Sequence, residues 1–263
     1  MALNFFIIQR LDVGQEPIRP AIMIIVCPHL TPIFDLNFLV FLHSCYKQPV
    51  NPINNNLKLM QPKEVTYLAL GDSYTIGESV PLSENFPNQL AKSLNSDSVL
   101  VTAPQIVAKT GWTTDELLEA VSKTSFRNKY DIVTLLIGVN NQYRNYDINT
   151  FRTEFKRLLN IAVNYASADT KKVYVLSIPD WGVTPFAKSN NRNEEQVGIE
   201  IDAYNAICKE EAEKLNITFI NITPISRLAK TDVSLLANDG LHPSGKMYQL
   251  WVKELTKTIN LKL

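Results

Sequence analysis

The stretch "YLALGDSYTIGES", Tyr67–Ser79, begins as a run of strand-forming apolar residues and breaks abruptly at Gly71-Asp72-Ser73. Consecutive apolar positions mark a strand covered on both faces, the habit of a parallel sheet packed between helices. Such a strand ends here on a small polar side chain whose hydroxyl can do chemistry. It is either an ordinary strand-to-helix turn or a post built to present Ser73.

Working outward, the same alternation continues to the end of the chain. Apolar, β-branched runs occur at "VTYLALG" (65–71), "VLVTAPQIVA" (99–108), "DIVTLLIG" (131–138), "KKVYVLSIP" (171–179) and "ITFINIT" (217–223). Between them lie helical patterns at 83–94, 113–123, 149–166 and 194–215, and a last one at 244–259. The first two open on residues suited to helix caps. In the third, Phe151, Phe155, Leu158, Leu159 and Val163 fall on one face. Strands alternating with helices predict right-handed crossovers and a mostly parallel, sandwiched sheet. Residues 63–263 are therefore expected to form one α/β domain, a three-layer α/β/α sandwich with about five parallel strands.

The composition suits a chain with a real core, 45% hydrophobic and 20% charged. Lys+Arg and Asp+Glu both total 26, so no bias toward a polyanion exists and nucleic acid is not an expected partner. Cys27, Cys45 and Cys208 are too scattered for a disulfide framework or a zinc site. Residues 1–62 read as an N-terminal extension. Within it "LNFLVFLHSC" (36–45) resembles the end of a bacterial lipoprotein signal, followed by a Pro- and Asn-rich tether. That reading makes Cys45 a lipid anchor on an exported protein and takes the first residues as an over-long gene start. Asp35 and the missing basic start favour instead an irregular extension on a cytoplasmic protein.

Four loci carry unusual residues where strands end or helices begin. They are Gly71-Asp72-Ser73, Gly111 in "AKTGWTT", Gly138, Asn140 and Asn141 in "IGVNNQY", and Asp239, His242 and Pro243 in "NDGLHPS". In open α/β sheets ligands gather beyond the carboxyl ends of the strands, so all four can meet on one rim. Taken in order, these blocks resemble the signature of the SGNH (GDSL) hydrolases, serine esterases, lipases and acylhydrolases of flavodoxin-like fold. The resemblance spans about residues 65–260. It departs from the common pattern at Asn141, where many relatives carry Asp.

The resemblance implies Ser73 as nucleophile, His242 as base, and Asp239 as the carboxylate that orients the base. It further implies an oxyanion hole made by the Ser73 and Gly111 backbone N–H groups and the Asn140 side chain. Chemistry supports the same roles. A serine attacks an ester only as its proton leaves, and His242 is the sole histidine of the regular domain. Asp239 lies three residues before it, within reach of its far nitrogen. Asp72 is expected to brace the turn by bonding nearby backbone. Trp181 and Phe186, in an exposed-looking loop after the fourth strand, are expected to wall the substrate pocket, or else simply to pack the loop.

The expected activity is hydrolysis of a small-molecule, glycan or lipid ester, without metal, nucleotide or flavin. Substrates in view are short-chain or acetyl esters, including acetylated carbohydrate, and lysophospholipids. The competing readings are a flavodoxin-like anion or nucleotide binder and a catalytically silent glycan-binding module. "GDSYTIGES" lacks the lysine of a phosphate loop and no GxGxxG occurs, which weakens the first. Intact Ser73 and His242 weaken the second.

Overall fold

The computed structural model describes residues 61–259 and Leu261. The expected anchor at Cys45 and most of the expected N-terminal extension lie outside the described residues. The strands are β1 (Lys63–Val65), β2 (Tyr67–Gly71), β3 (Val99–Val101), β4 (Gln105–Ala108), β5 (Ile132–Leu136), β6 (Val173–Leu176) and β7 (Thr218–Ile220). Five of them pair in the order β4-β2-β5-β6-β7, every pairing parallel, while β1 and β3 form a separate parallel pair.

The helices are α1 (Ser73–Ile76), α2 (Phe86–Leu94), α3 (Thr114–Lys123), α4 (Val139–Tyr143) and α5 (Ile148–Tyr165). They continue with α6 (Pro185–Ser189), α7 (Glu194–Lys214), α8 (Thr223–Arg227) and α9 (Gly245–Thr258). The chain leaves β2 toward β4 and then crosses back to β5 on the other side. Right-handed crossovers in opposite directions put α2 on one face and α3, α5 and α7 on the other. α9 packs on α2, and α5 packs between α3 and α7. The result is the expected three-layer sandwich. The reversal of strand order between β4 and β5 makes the carboxyl ends of β2 and β5 the switch point.

β2 and β5 are buried at every position, as their unbroken apolar runs require. The main helices begin on side-chain caps. Asn85, Asp147, Asn193 and Ser244 each accept from a backbone N–H one turn on. Thr113 opens α3 in a capping box, its own N–H donating to the Glu116 carboxylate at 2.9 Å. The aromatic cluster of Phe86, Tyr248 and Trp251 seals α2 to α9. Each such buried ring contributes on the order of 2–3 kcal/mol of transfer free energy.

Two expected strands are divided. "VLVTAPQIVA" breaks at 102–104 into β3 and β4, which belong to different sheets; Pro104 has no N–H to continue a ladder. The first run breaks at Thr66, whose N–H and hydroxyl both donate to the Asp131 carboxylate at 3.0 and 2.9 Å. The predicted α5 face holds for Phe151, Phe155, Leu158 and Leu159, but Ala162 rather than Val163 completes it. No helix among the described residues is long and apolar enough to cross a membrane.

Candidate active site

β2 delivers the chain into α1 with no spare residue. Asp72 is the cap, its Oδ1 accepting from the Tyr74 N–H at 3.0 Å, and Ser73 is the first helical residue. Gly71 cannot carry a side chain, because a Cβ there would lie 2.1 Å from Thr75 Oγ1 and 2.3 Å from the Leu136 carbonyl. Asp72 is fully buried, and its Oδ2 has no hydrogen-bond partner among the described residues. Burial pushes its pKa up to about 7, against the lowering effect of the Tyr74 N–H. Asp72 thus braces the turn and makes no hydrogen bond to the histidine.

His242 arrives from a tight turn just before α9. Asp239 Oδ1 accepts from the backbone N–H groups of Leu241 and His242, both at 2.9 Å, which folds the segment back on itself. Backbone pairing from Ala237 N–H to the His242 carbonyl at 2.7 Å, and from Ser244 N–H to the Leu235 carbonyl at 2.8 Å, closes the base of that turn. The imidazole then lies between two side chains. Nε2 is 3.0 Å from Ser73 Oγ, and Nδ1 is 2.6 Å from Asp239 Oδ2. The ring packs on Tyr74, centroids 5.4 Å apart, and Tyr74 is in turn fixed by Tyr248, whose hydroxyl donates to the Tyr74 carbonyl at 3.0 Å. Partial burial raises the Asp239 pKa. Hydrogen bonds from Ser79, His242 and the turn backbone outweigh it and hold the carboxyl at about 2.

Gly111 follows β4 with φ +85°, a conformation that glycine adopts without cost. Its carbonyl accepts from Arg144 Nη2 at 2.6 Å, and Arg144 also pairs with Glu116 at 3.3 Å. Asn140 stands in the first turn of α4, where one N–H of its amide donates to the Trp112 carbonyl at 3.0 Å. An amide nitrogen carries two donors, so the second remains to be used. Asn141, the departure from the common pattern, faces away into buried contact with Thr114.

Ser73, Gly111, Asn140 and His242 all line one cavity of about 190 Å³. The four sequence loci therefore converge at the carboxyl ends of β2, β4 and β5. Trp181 and Phe186 stand on the wall of the same cavity. Trp181 is only 2% exposed, contrary to the expectation of an exposed loop, because its Nε1 finds Gln142 Oε1 at 2.8 Å. Tyr143, Val139 and Leu241 add further apolar wall, and Arg192 lies over the Tyr143 and Trp181 rings at 5.2 and 5.1 Å. Among the described residues, no group of His, Cys, Asp and Glu is arranged to hold a metal ion.

Sequence reasoning missed three features at the rim. Ser79 Oγ donates to Asp239 Oδ2 at 2.7 Å, the Thr110 hydroxyl donates to the Glu78 carboxylate, and Tyr143 forms part of the wall. Only the nearness of Glu78 and Ser79 to the Gly71-Asp72-Ser73 block offered a signal.

The same fold recurs in solved structures. A lipase/acylhydrolase from Enterococcus faecalis superposes with a TM-score of 0.57 at 21% identity, covering 76% of this chain and 99% of that one. The acetylxylan esterase Axe2 from Geobacillus stearothermophilus gives a TM-score of 0.55 at 17% identity over 77% and 97%. The psychrotrophic esterase EstA from Pseudoalteromonas sp. gives 0.54 at 17% identity over 74% and 96%. No curated protein matches the chain in sequence. Residues 69–250, which carry every one of the four loci, match the model of the GDSL-like Lipase/Acylhydrolase family; the chain belongs to that family and is a hydrolase acting on ester bonds.

Proposed function

We propose that the chain is a serine esterase that cleaves short-chain carboxylic esters through an acyl-enzyme, with Ser73 as nucleophile and His242 as general base. The observation that carries this reading is the placement of one imidazole within 3.0 Å of Ser73 Oγ and 2.6 Å of Asp239 Oδ2. Asp239 keeps the proton on Nδ1, so Nε2 presents its lone pair to the hydroxyl. As Oγ attacks the ester carbonyl, its proton moves to Nε2, and Asp239 stabilises the imidazolium that forms. The oxyanion is received by the Ser73 and Gly111 N–H groups and the free donor of Asn140. The imidazolium then protonates the departing alcohol. Water, activated by the same nitrogen, releases the acid from Ser73.

Cavity size supports a small acyl group. A volume of about 190 Å³ falls below the roughly 300–1,000 Å³ of sites that enclose drug-sized ligands. A cavity of this size, walled by Val139, Trp181 and Phe186, suits an acetyl or similar short chain. The likeness in fold to an acetylxylan esterase, together with the aromatic wall, favours acetyl esters of carbohydrate as the substrate class.

The test is hydrolysis of p-nitrophenyl acetate and longer homologues, followed by acetylated xylooligosaccharide and lysophosphatidylcholine. Cleavage of the acetyl substrates, lost in Ser73→Ala, is the expected result. An inert wild type whose Ser73 resists a serine-directed phosphonate overturns the reading, and tightly bound nucleotide would point to the anion-binding alternative.

A further inference from the structure

The Gly77–Ser79 segment joins the nucleophile's own helix to the far side of the site. α1 ends at Gly77 in the left-handed conformation, and the N–H groups of Gly77 and Glu78 both return to the Ser73 carbonyl, at 3.1 and 3.0 Å. The position of the next residues is thereby referenced to Ser73 itself. Two residues on, Ser79 is held at φ +65°, a region that a non-glycine residue adopts only when its surroundings demand it. Its hydroxyl donates to Asp239 Oδ2 at 2.7 Å, across 160 residues of chain.

That oxygen is the one that accepts from His242 Nδ1, while Oδ1 is taken by two backbone donors. Among the described residues, Ser79 therefore supplies the only hydrogen bond to the Asp239 carboxylate from outside the 239–242 turn. Asp239 stands at the rim of the site, its side chain about 30% exposed. A turn alone can pivot as a unit and carry aspartate and histidine away from the serine together. A tie from Asp239 to a residue built on Ser73's carbonyl removes that freedom.

Resting on the proposed roles of Ser73, His242 and Asp239, we infer that Ser79 is a positioning residue, which docks the Asp239–His242 turn onto the nucleophile helix and fixes the carboxylate that orients the base. Ser79 touches neither substrate nor reacting atoms; it acts through Asp239. The left-handed backbone at Ser79 is the conformation that aims its hydroxyl at Oδ2.

The experiment compares wild type, Ser73→Ala, Ser79→Ala and Ser79→Gly on p-nitrophenyl acetate. Glycine accepts φ +65° freely, so the pair of variants at position 79 separates loss of the hydroxyl from backbone strain. Loss of a hydrogen bond to a charged but exposed group predicts that kcat falls about tenfold in both, with KM unchanged. The downfield proton resonance of His242 Nδ1–H should also move in both variants. Wild-type kcat in Ser79→Gly, or an Nδ1 proton unmoved in both, overturns the inference. Wild-type activity abolished in Ser73→Ala keeps such a result distinct from a failure of the catalytic assignment itself.

Discussion

Asn141 and Thr114 exchange two buried hydrogen bonds: Asn141 Oδ1 accepts from the Thr114 N–H at 3.1 Å, and its Nδ2 donates to Thr114 Oγ1 at 2.7 Å. The pair ties the start of α4, which carries Asn140, to the start of α3, just beyond Gly111. The direction of the second bond is set by the Glu154 carboxylate, to which the Thr114 hydroxyl donates. With its proton committed, that hydroxyl must be met by a donor. Asparagine supplies one and aspartate does not, which accounts physically for the residue at 141.

Asn141→Asp should therefore destabilise the fold by about 1–3 kcal/mol, the cost of mismatching a buried polar contact and bringing two carboxylates onto one hydroxyl. Adding Glu154→Gln lets the Thr114 hydroxyl donate to the carboxylate introduced at position 141 and accept from the amide introduced at 154. Urea midpoints of the single and double variants check this: the double variant should recover most of the loss, and additive losses would refute the account.

Asn140→Ala removes the amide without opening a large cavity. Under the proposed mechanism kcat on p-nitrophenyl acetate should drop on the order of a hundred- to a thousandfold, as when one oxyanion donor is lost. The melting temperature should move by only a few degrees, because the bond lost is the one to the Trp112 carbonyl. Equal falls in kcat and kcat/KM identify a contact made in the transition state.

Asp72 gives the fold a dependence on pH of a definite sign. Its folded pKa is raised to about 7 by burial, above its ordinary value of 3.8. Between these values the native chain holds a proton that the unfolded chain has released, so stability falls as pH rises and levels off above about 7. From pH 5 to pH 8 the fall is roughly 3 kcal/mol, at about 1.4 kcal/mol per unit over the two units below the folded value. Asp72→Asn keeps the cap on Tyr74 and lacks the titration. Its advantage over wild type should grow by that amount between pH 5 and pH 8 in urea unfolding; parallel profiles would show that Asp72 is not held neutral.

Much of this could be read from the sequence, for reasons specific to each residue. β5 and β6 are apolar almost without interruption, and a strand covered on both faces advertises itself locally. Ser73, Asp239 and His242 were legible because each sits beside a turn signal. The division of 99–108 was not, since which sheet a strand joins depends on β1 and β2, about thirty or more residues away. Trp181 looked exposed because it stands among Pro179, Asp180 and Gly182; its burial depends on Gln142 from another element. Beyond its nearness to the Gly71-Asp72-Ser73 block Ser79 carries no pattern, for a serine in a turn has many ordinary uses and its backbone angle cannot be inferred from neighbours.

Phe186 offers a way to change substrate preference without touching the reacting groups. It is half-buried on the cavity wall and follows a helix cap at Thr184, so truncation leaves α6 intact. Phe186→Ala should lengthen the cavity and raise the rate on p-nitrophenyl octanoate relative to acetate by about tenfold, the scale of discrimination that a few methylenes give in an apolar pocket. An unchanged chain-length profile would place the acyl group against another wall.

Ser73 and His242 are separated by 169 residues, at opposite ends of the described domain, the serine beyond an inner strand and the histidine just before α9. A ribosome thus makes Ser73 long before His242. Until His242 emerges and folds back, the growing chain holds Ser73 without the imidazole that meets it. Under the proposed roles, esterase activity accordingly waits until both ends of the described domain have been made and brought together.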